Sequence, residues 1–317
     1  MTRTIRALAL CVVLLLHACA ADTHDSAPKP TEDTPLNIVA VVDPITDLVR
    51  QIAGERATVR SLVPSGSDAH TYAPRPRDAI RLAESDLYVD VGIGLNDAAT
   101  NLATANMPDD TRIVLLGEAL SAETLINDHD DGTGTLGPNP HIWTSMQNVT
   151  QAVPVIRDAL TRIDPDGADI FRANTDRLLA TLRELDGTIQ AAINTIPADN
   201  RVLVTFHDAW TYFARDYGME YAVAVQGRDY TDPSAQAVRN LIDQIRALNV
   251  VAVFGSAVFP SDVLKVIAEE TGATYVTGLS DDLFPDALDD TPSFQSLMRY
   301  NATIIVDGLG GDTTVLN

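Results

Sequence analysis

Residues 166–196, DGADIFRANTDRLLATLRELDGTIQAAINTI, decide how the chain is organised. Ile170, Leu178, Leu182, Leu185, Ile189, Ala192, Ile193 and Ile196 recur largely at intervals of three, four and seven, which draws one apolar stripe along a helix. About thirty residues at 1.5 Å each make a strut roughly 45 Å long. Asp164 and Pro165 mark its start, and Gly187 is its weakest interior position.

On either side of this strut, short β-rich apolar runs alternate with helical stretches, the pattern of α/β units around parallel sheets. Before it, strands are expected over 36–42, 58–63, 87–91 and 112–115, with helices over 44–54 and 76–83. After it come strands over 202–206, 221–225, 250–254 and 274–277, with helices over 209–217, 233–248 and 260–271. The expected fold class is therefore α/β, with an N-terminal lobe over 36–165 and a C-terminal lobe over 197–317. Each lobe holds a parallel-type sheet with flanking helices, and helix 166–196 joins them. Leu241, Ile245 and Leu248 are expected to face the core. A chain of 317 residues is long enough for two such cores.

Composition narrows the function. With 45% hydrophobic and 21% charged residues, the chain is neither largely disordered nor a multi-span membrane protein. A formal net charge of -22 argues against nucleic acid as a partner, because little here could neutralise a row of phosphates. The N-terminus reads as an export signal over 1–20: Arg3 and Arg6 precede an apolar run over 7–16 that is too short to span a bilayer. Leu16, His17, Ala18 and Cys19 approximate a lipobox, in which Cys19 would carry a lipid. Ordinary cleavage after Ala20 is the competing reading. Residues 21–35, rich in Asp, Thr, Pro and Ala, read as a flexible tether. The expected location is the outer side of the cytoplasmic membrane, free in a periplasm or lipid-anchored.

The two cysteines, Cys11 and Cys19, both lie in the leader, so a metal site in the body must use nitrogen and oxygen. Of six histidines, His17 and His24 belong to the leader and tether. His70, His141 and His207 each fall in a loop or just after an expected strand, amid Pro, Trp, Tyr and Asp. A lone histidine is more often a surface or satisfied core residue than a ligand. Ligands at the carboxyl ends of strands in two facing α/β lobes would converge on the cleft where these folds bind small ligands. Two histidines from one lobe, with a histidine and a carboxylate from the other, would make a four-ligand site suited to zinc.

The segments His70-Thr71-Tyr72-Ala73-Pro74-Arg75-Pro76, Asn139-Pro140-His141-Ile142-Trp143 and His207-Asp208-Ala209-Trp210-Thr211-Tyr212-Phe213 resemble the three histidine motifs of the zinc- and manganese-binding solute-binding proteins of ABC importers. The similarity continues through Gln226-Gly227, Asp232-Pro233-Ser234 and Ser293-Phe294 to Arg299-Tyr300-Asn301, covering the body in order. The resemblance implies two lobes joined by one rigid helix, a single metal between them, and a late aspartate as fourth ligand. Asp282 is taken as that ligand on its distance from Phe294, with Asp281, paired with Ser280, as the alternative. It also implies an importer permease as partner, with a zinc metallochaperone as a further one.

Two positions depart from the family pattern. Ala73 stands where glutamate is usual, and Asn139 where aspartate is common before Pro-His; both bear on the hydrogen bonds that orient imidazoles. The short stretch 127–131, with His129, lies where zinc-specific members often carry a histidine-rich loop, and reads as a solvated loop. Manganese-type members commonly replace the third histidine with a carboxylate, so His207 points to zinc, with manganese or iron as alternatives. A metal-dependent hydrolase is the rival class. The sequence has no H-E-x-x-H helix, G-x-S-x-G elbow or Gly-rich phosphate loop, and four protein ligands would close the position a catalytic water needs. A surface adhesin or a metal chaperone uncoupled from import is the third class.

Overall fold

Eight β-rich runs form two four-stranded sheets, the architecture that the alternating pattern predicts. The structure is a computed structural model and describes residues 34–107, 109, 112–127, 129–130, 136–226, 233–257, 261–288 and 291–317. The export signal, Cys19 and nearly all of the tether lie outside the described residues, as do Gly227 and Asp232.

The first half runs β1 (Leu36–Ala40), α1 (Asp43–Ala53), β2 (Ala57–Ser61), α2 (Pro76–Ala83), β3 (Leu87–Asp90), α3 (Asp97–Asn106) and β4 (Ile113–Leu115). Local chemistry sets these boundaries: Pro44 and Pro76 open α1 and α2, and Gly54, at φ +57°, ends α1 in a conformation that side chains resist. The strands pair in parallel in the order β2-β1-β3-β4. A bridging stretch follows, with α4 (Leu116–Ala119), a small ribbon of β5 (His129–Asp130) and β6 (Leu136–Gly137), and α5 (Met146–Ile163).

After α6 (Ala168–Ile193) the second half repeats the plan: β7 (Val202–His207), α7 (Thr211–Asp216), β8 (Glu220–Gln226), α8 (Ala235–Ala247), β9 (Ala252–Ser256), α9 (Asp262–Thr271), β10 (Thr274–Leu279) and α10 (Phe294–Gly308). Its order, β10-β9-β7-β8, is the first sheet's order read from the opposite edge, again all parallel. In each sheet the chain leaves the first strand in one direction and later returns to its other side. That reversal opens a crevice at the carboxyl ends of the central strands.

The long helix is shorter than its sequence pattern. Pro165–Gly167 forms a separate 3-10 turn, leaving 26 residues, about 39 Å at the usual rise. Ile170 is exposed at 44% and leaves the stripe; Phe171 takes the buried position beside it. Leu178, Leu182, Leu185, Ile189, Ala192 and Ile193 are buried as expected. Four further helices, α3, α4, α5 and α10, occupy stretches to which the sequence pattern assigns none. Helix α5 carries Pro154 in its interior, and α10 starts from the Ser293 cap.

One continuous apolar cluster runs from β1 and α1 through α5 and α6 to α7 and α10, so the halves share a core. A satellite cluster lies within the second half and takes in Leu241, Ile245 and, partly buried, Leu248. Polar contacts reinforce the shared core. Asp47 on α1 accepts a hydrogen bond from the Phe294 backbone N–H at the start of α10 (2.7 Å), and Gln51 and Gln295 exchange amide hydrogen bonds at 2.8 Å each. Among the described residues, no helix is long and apolar enough to cross a membrane.

Candidate metal centre

His207 is the last residue of β7, at the carboxyl edge of the second sheet. His141 precedes the 3-10 turn Ile142–Thr144, and His70 lies in the connection between β2 and α2. Although they come from three separate segments, the three rings meet. The His141 Nε2 lies 2.9 Å from the Nε2 of His70 and 2.9 Å from that of His207. Asp281, two residues past β10, brings its Oδ2 to 3.6 Å from His207 Nε2 and 3.9 Å from His141 Nε2. A tetrahedral zinc with nitrogen at about 2.0–2.1 Å needs ligand atoms roughly 3.3 Å apart, a spacing these distances bracket. The three imidazoles therefore lie within common reach of one ion, and the Asp281 carboxylate stands beside two of them.

The aspartates have distinct places. Asp281 faces both His141 and His207, and its Oδ2 is buried with no hydrogen-bond partner among the described residues. Asp282 also reaches His141 and Asp281, and its Oδ1 is shielded and equally without a partner. Unsatisfied buried carboxylate oxygens are costly and usually mark an ion or a strained function. Burial raises the Asp281 carboxyl above its ordinary pKa, while the neighbouring His207 charge pulls it back. Asp282 is pushed well above the usual carboxylate range, first by burial and then by the charges of Asp281 and Asp68. A cation placed here would relieve both penalties at once.

The surrounding hydrogen bonds fix the His141 tautomer. Asn139 Nδ2 donates to the Asp208 carbonyl at 3.1 Å, which turns Asn139 Oδ1 toward His141. That oxygen accepts from the His141 backbone N–H at 3.0 Å and from ring Nδ1 at 2.8 Å, leaving the Nε2 lone pair aimed at the cluster. His141 itself is fully buried. Its segment is also bound to the stretches that follow β7 and β10. Thr144 Oγ1 lies 3.0 Å from the His141 carbonyl and 2.9 Å from that of Ala209, Tyr212 donates to the Asn139 carbonyl at 2.7 Å, and Trp143 Nε1 donates to the Asp281 carbonyl at 2.9 Å. On the other side, the Asp68 carboxylate accepts from the backbone N–H groups of His70 (2.8 Å) and Thr71 (3.3 Å).

The departures noted in the sequence have visible consequences. Asn139 provides a neutral oxygen to His141 where a carboxylate would carry charge. His129 lies in β5, which pairs with β6. The hydrogen-bonding residues Asn96 and Thr144 carry no sequence signal of their own, because their roles depend on which backbone carbonyls the fold presents to them.

Two parallel α/β sheets with a nitrogen- and oxygen-lined cation site between them define a two-lobed metal receptor. The model of the family described as zinc-uptake complex component A, periplasmic, matches residues 38–308, and the chain belongs to that family. It is similar to a manganese-binding lipoprotein of Halalkalibacterium halodurans, with 26% identity over 302 residues, 94% of this chain and 96% of that protein. The iron-binding protein YfeA of Yersinia pestis is 26% identical over 309 residues, 96% of this chain and 97% of that one. Among solved structures, the manganese-bound periplasmic metal binding protein from Candidatus Liberibacter asiaticus superposes with a TM-score of 0.76. It is 26% identical, over 86% of this chain and 99% of that one. The chain is a binding protein and not an enzyme.

Proposed function

We propose that this protein captures zinc outside the cytoplasm and delivers it to the permease of an ABC importer, with His70, His141, His207 and Asp281 as the metal's ligands. The observation that carries the reading is the convergence of three Nε2 atoms, with 2.9 Å between His141 and each of the other two, beside the partnerless Asp281 oxygen. Three imidazoles and one carboxylate suit zinc, whereas manganese favours oxygen-rich shells. Asp281 is preferred to Asp282 because its carboxylate faces two of the imidazoles. Four protein ligands leave no open position for a catalytic water, which supports capture over hydrolysis. Anchoring through a lipid on Cys19 would hold the receptor close to the permease, and a zinc metallochaperone is a further partner consistent with this role.

A second reading, manganese or iron as cargo, draws on relatives named for those metals. Metal bound to the body from residue 36 onward, measured by mass spectrometry and by competition among zinc, manganese and iron, separates the two. Alanine at His70, His141 or His207 should weaken binding until less than a full equivalent of metal survives purification, and variants that keep a full equivalent would remove the proposed centre.

A further inference from the structure

We propose that Asn96 is a positioning residue for His70, clamping its loop in ligating shape before metal arrives; the inference rests on the metal-centre reading above. Asn96 lies just ahead of α3 and is 4% exposed. Its Oδ1 accepts from the Ala99 backbone N–H at 2.8 Å, the N-cap bond of α3, so the amide NH2 faces the other way. That NH2 donates to the carbonyl of Ala69 at 2.6 Å and to the carbonyl of Tyr72 at 2.9 Å. These two carbonyls bracket His70. One side chain thereby ties the first turn of a helix to both flanks of a ligand.

The chain reaches this position through a strained turn. Gly92, Ile93 and Gly94 all have positive φ, at +69°, +42° and +81°. Isoleucine is β-branched and poorly suited to that region, so the surroundings must hold it there. They do: Ile93 packs onto Gly117, where a Cβ would lie 2.6 Å from Ile93 Cδ1, and the Gly117 N–H donates to the Val91 carbonyl at 2.8 Å. The turn carries the chain from the end of β3 to the His70 loop. The loop's far flank has an anchor of its own, since Asp78 Oδ2 accepts from Tyr72 OH at 2.6 Å and from the Arg75 N–H at 2.8 Å. Asn96 holds the residues on either side of His70 itself.

The substitution Asn96→Ser separates clamp from cap, because serine caps helices about as well as asparagine but has no NH2 to span two carbonyls. Zinc affinity, read by chelator competition, should fall about 10–100-fold. In metal-free protein, amide hydrogen exchange at residues 70–72 should accelerate. In a His70→Ala background the same substitution should cost no further affinity, since a residue acting through His70 has nothing left to act on. Unchanged affinity for Asn96→Ser, or an equal loss in the His70→Ala background, would overturn the proposal. Full affinity of His70→Ala alone would instead refute the metal-centre reading, and the exchange rates would then decide the clamp by themselves.

Discussion

Replacing Asn139 by leucine tests how far metal affinity depends on ring orientation. Leucine matches asparagine in size but removes both acceptor bonds to His141 and the donor bond to Asp208. The ring then loses the partner that fixes its tautomer, and orienting partners of metal-bound histidines are worth about 10–100-fold in affinity. That range equals roughly 1.4–2.8 kcal/mol. Three hydrogen bonds to His141 and the Asp208 carbonyl also disappear, so the fold should weaken as well. Asn139→Asp keeps an oxygen toward His141 and should hold affinity within about tenfold of the parent. The assay is zinc competition against a chromophoric chelator at pH 7.5, with circular dichroism confirming that each variant is folded. If Asn139→Leu binds like the parent, or Asn139→Asp fails as badly as leucine, the orientation argument is wrong.

Further predictions concern protons and the backbone. Because imidazole binds metal only when neutral, affinity should weaken steadily below about pH 6.5, the ordinary histidine value. Equal dissociation constants at pH 7.5 and 5.5 would contradict histidine ligation. The carboxyls of Asp281 and Asp282 sit above their ordinary pKa, so folding disfavours their ionised forms. Their contribution is intact below the unfolded carboxylate value of about 4 and is lost as pH rises toward the raised folded values. Metal-free Asp282→Asn should therefore melt roughly 2 °C or more above the parent at pH 7.5 in a thermal scan, and an unchanged or lower midpoint would count against a buried anionic pair. Within α6, a Cβ at Gly187 would meet nothing within 4 Å, so Gly187→Ala should add about 0.5–1 kcal/mol in urea titrations. At Gly167 a Cβ would fall 2.6 Å from Asp164 Oδ2 and Phe171 Cζ, and Gly167→Ala should destabilise the same helix start.

The sequence determined the eight strands and the long helix, because each rests on local chemistry: alternating β-rich runs make strands and a 3.6-residue stripe makes a helix. The three histidines were singled out by the resemblance of their segments to the histidine motifs of a receptor family. The periodicity that marks α6 is equally present in α10, where Phe294, Leu297, Met298, Asn301, Ala302, Ile305 and Val306 form the buried face, so that helix was within reach of the same reading. In α5 the interior Pro154 masks an otherwise regular pattern. Other features belong to the tertiary structure alone. Whether Ile170 or Phe171 faces inward depends on where the 3-10 turn ends and α6 begins. Asp281 and Asp282 are chemically identical neighbours, and only the path of the chain beyond β10 sets Asp281 against two imidazoles. The roles of Asn96 and Asn139 likewise come from carbonyls that lie 24 to 69 residues away along the chain. Hydrogen bonds act over about 3 Å of space whatever the separation in sequence, so folding had to bring these groups together before their function could be read.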